Sequence, residues 1–130
     1  MPRPHAPGPR LLVVDDEPVV RDLVRETLAF GAYDVTFAAG GAEALERAQR
    51  ERPQLVLLDF DLGGELDGLE VCRRLTSAEV GPTVILLTGN TQSRTRDACL
   101  QAGAAAYLTK PFSPLELLEQ IEQALERRAA

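Results

Sequence analysis

The chain has 130 residues, 45% of them apolar and 26% charged, which suits one compact domain able to build a core without disulfides or a structural metal. Its 20 acidic and 14 basic residues leave a net charge of −6 with no basic run, so direct nucleic acid binding is not expected. Apolar runs of four to five residues fall far short of a membrane span, and no apolar signal segment opens the chain, which points to the cytoplasm.

Residues 1–9 (MPRPHAPGP) hold four prolines and predict a disordered tail ahead of a folded domain over 10–128. His5, the only histidine, lies in that tail without a partner and is given no chemical role. The first apolar run, Leu11-Leu12-Val13-Val14, predicts a strand that ends in Asp15-Asp16-Glu17. A helix follows on the spacing of Val20, Leu23, Val24, Thr27 and Leu28. Val35 to Ala38 form the second strand, and Ala44, Leu45 and Ala48 mark the second helix. Leu55 to Leu58 form the third strand, which ends in Asp59; Leu69, Cys72 and Leu75 mark the third helix. Thr83 to Leu87 form the fourth strand, ending in Thr88-Gly89. Its helix carries Ala98, Cys99 and Ala102 and is closed by Gly103. Ala106 to Leu108 form the fifth strand, ending in Lys110-Pro111. The last helix carries Leu117, Leu118, Ile121 and Leu125 behind a Ser113-Pro114-x-Glu116 start signal. Cys72 and Cys99, each on an apolar helical stretch, read as reduced and buried.

Strands alternating with helices predict an α/β fold: a single doubly wound, five-stranded parallel sheet in the order 2-1-3-4-5. The working site of such a sheet lies beyond the carboxyl ends of its strands. Asp15, Asp16, Asp59, Thr88, Gly89, Lys110 and Pro111 all occupy strand ends. Each has an ordinary reading alone: a helix cap for Asp15-Asp16, a turn residue for Asp59, a surface cation for Lys110. Together they form a repelling acid cluster that calls for a hard divalent cation such as Mg²⁺. A hydroxyl and an ammonium beside them suit a phosphoryl group carried on a carboxylate. A cis bond at Lys110-Pro111 would aim the ammonium into the site.

The segments LLVVDDEP (11–18), LVLLDFDL (55–62), Asp67-Gly68, VILLTGN (84–90) and AYLTKPF (106–112) resemble the receiver domain family of two-component response regulators, a flavodoxin-like (βα)5 fold. The resemblance implies that Asp59 is the phosphoacceptor and that Mg²⁺ is held by Asp16 directly, by Asp15 through water, by Asp59 and by the backbone carbonyl of Asp61. It implies that Thr88 and Lys110 sense the phosphate and that Tyr107 is the switch aromatic. Asp61, Gly89, Asn90 and Pro111 would flank the site, with Asp61 and Asn90 tuning the lifetime of the acyl phosphate. The partners implied are a sensor histidine kinase or phosphotransfer protein, an output domain or protein reached through the surface of the fourth helix, fifth strand and fifth helix, and a homodimer mate. The domain would catalyse only its own phosphorylation and dephosphorylation. The chain departs from the family pattern at Gly63-Gly64, where a proline is usual. Asp59-Phe60-Asp61 also resembles the opening motif of haloacid-dehalogenase-like phosphatases, although the acidic pair then comes too early. A flavin-binding module would want a phosphate cradle where this chain has Asp-Asp-Glu-Pro.

Overall fold

The computed structural model describes residues 8–64, 66–79, 81–89 and 92–129. Five strands and five helices alternate: β1 (Arg10–Val14), α1 (Pro18–Leu28), β2 (Asp34–Ala38), α2 (Gly41–Glu51), β3 (Leu55–Asp59), α3 (Gly68–Thr76), β4 (Thr83–Thr88), α4 (Ser93–Gln101), β5 (Ala106–Thr109) and α5 (Pro114–Ala129). The sheet is parallel throughout, in the order β2-β1-β3-β4-β5. This is the order that the alternation of runs predicts.

The unbroken apolar strands have a direct physical cause: both faces of the sheet are covered. Leu12, Val14, Val56, Leu58, Val84 and Leu86 project to one side, where Ala44 of α2, Val71, Cys72 and Leu75 of α3 and Cys99 of α4 cover them. The alternate residues Leu11, Val13, Leu55, Leu57, Ile85 and Leu87 project to the other side, against Val24 and Leu28 of α1 and Leu117, Ile121 and Ala124 of α5. Cys72 and Cys99 are free and buried, as expected.

Helix starts follow local chemistry. Asp67 accepts a hydrogen bond from the Glu70 N–H at 2.8 Å and caps α3. Ser113 accepts from the Glu116 N–H at 3.1 Å at the start of α5. Asp15 and Asp16 do not cap helix α1, which sets aside their ordinary reading: the N-cap position is Glu17, which makes no side-chain cap, and Pro18 begins the helix. At the other end of the sheet, the Pro9 carbonyl accepts from the Asp34 N–H at 2.9 Å and so continues the β1–β2 ladder. Residues 1–7 of the expected tail, His5 included, lie outside the described residues.

The core seats β3 at the centre, and Gly68 places α3 directly on its end. A Cβ at Gly68 would stand 2.5 Å from the Asp59 carbonyl oxygen and 2.8 Å from the Phe60 Cα. Both of those atoms are backbone, so neither can rotate away. Gly68→Ala is therefore expected to lower stability by about 1–3 kcal/mol, as overpacking does. Urea denaturation measures this, and an unchanged midpoint would mean that α3 can shift off the strand end without cost.

Candidate functional site

The carboxyl ends of β1, β3, β4 and β5 converge as the topology requires. Asp15 directly follows β1 and is fully buried; Asp59 closes β3 and is 1% exposed; Thr88 closes β4 and is fully buried. Strand register carries them there: Asp59 pairs with Leu87, and the Phe60 N–H donates to the Leu87 carbonyl at 2.8 Å. The Lys110 N–H donates to the Thr88 carbonyl at 2.7 Å, which ties the end of β5 to the end of β4.

Lys110 is the hub. Its Nζ lies 3.2 Å from Asp15 Oδ2, 3.1 Å from Glu17 Oε1 and 3.2 Å from Asp59 Oδ1. The Lys110-Pro111 peptide is cis. Main-chain donors fix the two buried carboxylates: the Glu17 N–H donates to Asp15 Oδ1 at 2.9 Å, and the Asp61 N–H donates to Asp59 Oδ1 at 3.0 Å. Asp59 Oδ2 is buried with no partner, alone in this respect among the side-chain polar atoms of the described residues. Such atoms are rare in folded proteins and call for a ligand or a chemical role.

Electrostatics follow from burial. Desolvation is the main influence on Asp15 and raises its pKa; the Glu17 N–H opposes this, the charge of Asp59 adds to it, and Lys110 partly relieves it. Burial also works against the Lys110 charge, but the Glu17 hydrogen bond and the charges of Asp15 and Asp59 outweigh it and raise the ammonium's pKa. Three carboxylates around one ammonium leave a surplus of about two negative charges when all are ionised. Asp15, Glu17 and Asp59 bring ligand oxygens within 4.8 Å of one another, a group able to hold a metal ion. The charge surplus and the orphaned Asp59 oxygen both fit a hard divalent cation with oxygen ligands.

The remaining predicted residues are not all brought to this centre. Asp16, expected as the direct metal ligand, is exposed, and the carboxylate that joins Asp15 and Asp59 is Glu17. Asp61 and Gly89 are exposed at the mouth, with open space around Gly89 where a Cβ would stand. Pro111 is also exposed. Tyr107 is half-buried against the α2–α3–α4 side of the core and pairs in register with Leu86. Asn90 lies outside the described residues. In the Gly63-Gly64 loop, Gly64 adopts φ +92, a conformation that favours glycine, and Leu62 is buried beside the core. Glu17 was the residue without an assigned role. The signal available for it was its place in the same acidic run as Asp15 and Asp16.

A doubly wound parallel sheet with an acid cluster and one ammonium at its carboxyl edge defines a small α/β domain with a charged site. The sequence profile of the response regulator receiver domain matches residues 11–122, and the chain belongs to that family. Its function is accordingly that of a phosphorylation-dependent signalling domain. Among curated relatives it is similar to the response regulator MprA of Mycobacterium leprae, 44% identical over 118 residues, which is 91% of this chain and 51% of that protein. The chain thus spans about half the length of the curated relatives it matches. Among solved structures it is similar to a CheY-like receiver domain protein from Methanospirillum hungatei JF-1, with a TM-score of 0.85 and 32% identity, covering 93% of this chain and 96% of that one. It is similar also to the receiver domain of the sensor histidine kinase PA1611 from Pseudomonas aeruginosa PAO1, solved with a magnesium ion in its active-site cleft. There the TM-score is 0.83 and the identity 35%, over 92% of this chain and 98% of that one. The haloacid-dehalogenase alternative is corrected by these relatives, which are response regulators. Its physical failing is the acidic residue placement: Asp15 and Asp16 follow the first strand.

The raised pKa of Asp15 has a consequence for stability. The folded carboxyl binds its proton more tightly than the unfolded one, whose value is near 3.8. Its contribution is therefore most favourable at low pH and is lost as pH rises from 3.8 through the folded value. Asp15→Asn keeps an oxygen for the Glu17 N–H and removes the charge. Thermal unfolding in metal-free buffer is expected to show a higher midpoint for the variant near pH 7, with the gain shrinking as pH falls toward 3.8. A lower midpoint at neutral pH would show that the Lys110 attraction dominates the site.

Proposed function

We propose that the domain takes a phosphoryl group onto Asp59 in a Mg²⁺-dependent reaction. One observation carries the reading: Asp59 Oδ2 is buried and unpartnered beside the Lys110 ammonium. That oxygen is the nucleophile. It forms a bond to phosphorus as the bond from phosphorus to the donor breaks. With a phosphohistidine donor the leaving group is an imidazole, which keeps the bonding pair and takes up a proton. Asp16, Asp59 and the Asp61 carbonyl, with Asp15 through water, would hold the Mg²⁺, whose charge would offset that of the phosphoryl oxygens. The magnesium-bound receiver domain of PA1611 supports this choice of metal.

Lys110 then binds one phosphoryl oxygen and Thr88 another, while Asp61 and Asn90 govern how long the acyl phosphate lasts. Tyr107 repacks as Thr88 moves, and the change reaches the surface of α4, β5 and α5, where Arg94, Arg96, Glu116, Glu119 and Glu122 are exposed. The domain is a population switch between two packings, biased by the covalent group. The donor is a sensor histidine kinase or phosphotransfer protein of the cytoplasm, and the reader is an output domain, a separate protein or a second copy of the domain. Its own chemistry is limited to gaining and losing the phosphoryl group. No helix among the described residues is long and apolar enough to cross a membrane.

The test is intact-mass measurement after incubation with Mg²⁺ and a small phosphodonor. A single phosphoryl adduct is expected on the wild type and on neither Asp59→Asn nor the metal-free wild type. An adduct on Asp59→Asn would move the acceptor elsewhere, and none on any sample would remove the proposed chemistry.

A further inference from the structure

Glu17 stands where a helix cap belongs and does not cap. Its backbone is extended, at φ −83 and ψ 117, and α1 receives no side-chain hydrogen bond from it. Glutamate is poor at this position compared with Ser, Thr, Asp or Asn. The carboxylate instead reaches across to β5 and places Oε1 3.1 Å from Lys110 Nζ, although Glu17 is itself 57% exposed. Lys110 already has Asp15 and Asp59 as buried partners. The third carboxylate is thus an outer hold on the same ammonium, the one of the three that faces solvent.

We propose that Glu17 is a positioning residue that anchors the Lys110 ammonium in the resting site and competes with an incoming phosphoryl group for it. The inference rests on the function proposed above. Lys110 has three donor hydrogens and three carboxylates around them, so each is engaged at rest. A phosphoryl oxygen on Asp59 gains a bond from Lys110 only when one of these partners lets go. Glu17 is the partner that can do so most readily, because water replaces its lost bond, whereas Asp15 and Asp59 are buried. The resting hold sets a threshold: a ligand must outbid Glu17 before the ammonium turns toward it.

Lys110 is the only lysine of the chain, so a protein labelled with ¹⁵N-lysine has one side-chain ammonium to observe. The test follows that signal, together with the affinity for fluoroberyllate in the presence of Mg²⁺, in the full chain and in Glu17→Gln. Fluoroberyllate serves as the phosphoryl mimic. Removing the charge is expected to shift the resting ammonium signal and to tighten fluoroberyllate binding about two- to fivefold, the range for an exposed pair. The two proteins should share one signal position once loaded. An unshifted resting signal, or an affinity that is unchanged or weaker, overturns the proposal. Weaker binding accompanied by a lower affinity for Mg²⁺ alone would make Glu17 a metal ligand instead. Failure of the wild type to bind Mg²⁺ and fluoroberyllate at all would instead bring down the reading of the site, and is seen in a separate titration.

Discussion

The arrangement turns on one ammonium held by three carboxylates at the edge of a sheet. Lys110 meets Asp15, Glu17 and Asp59 at 3.1 to 3.2 Å, and two of those acids are buried. Attraction to the lysine does not cancel their mutual repulsion; it leaves an anionic pocket able to take a divalent cation. A centre of this kind is a poor source of stability, because desolvating the charges costs more than a single ion pair returns. Its value lies in response. Any cation or phosphoryl group that enters changes the balance of forces on Lys110 directly.

The sheet exists in a form that can hold such a centre steady. With both faces covered, β1, β3 and β4 are close-packed for almost their whole length, and their ends cannot splay. Backbone donors finish the placement. The N–H of Glu17 fixes Asp15 and the N–H of Asp61 fixes Asp59, each two residues beyond the acid it holds. The same short-range geometry leaves Asp59 Oδ2 free. A buried carboxylate with one oxygen saturated and the other bare is therefore a product of local turn chemistry acting at the end of a rigid strand.

Most of the fold was legible because its signals are local and redundant. Unbroken apolar runs such as Leu55 to Leu58 mark strands buried on both sides, and helical spacing marks the segments between them. The strand order follows from handedness and connection length, and it brings Asp15, Asp59, Thr88 and Lys110 to one edge. What was not legible depends on side-chain direction. Within Asp15-Asp16-Glu17 all three residues are acidic, and the sequence alone does not say which faces inward. The turn after β1 buries the first, exposes the second and sends the third to Lys110, 93 residues away. Nor do capping rules find this, since they favour Ser, Thr, Asp or Asn at an N-cap and the chain puts a non-capping glutamate there.

The path from the site to the surface is short, and its first link is backbone rather than side chain. The Lys110 N–H bonds the Thr88 carbonyl at 2.7 Å, so the two groups proposed to bind phosphate belong to strand ends joined by a backbone hydrogen bond. Tyr107 lies on β5, three residues before Lys110, pairs with Leu86 of β4 and is only half-buried. β5 is also an edge strand with a single neighbour, unlike β3, which is locked between β1 and β4. A pull on Lys110 therefore acts at the end of an edge strand. The centre of the sheet carries Asp59 and the buried Thr88, and the edge strand carries Tyr107 and leads into Lys110.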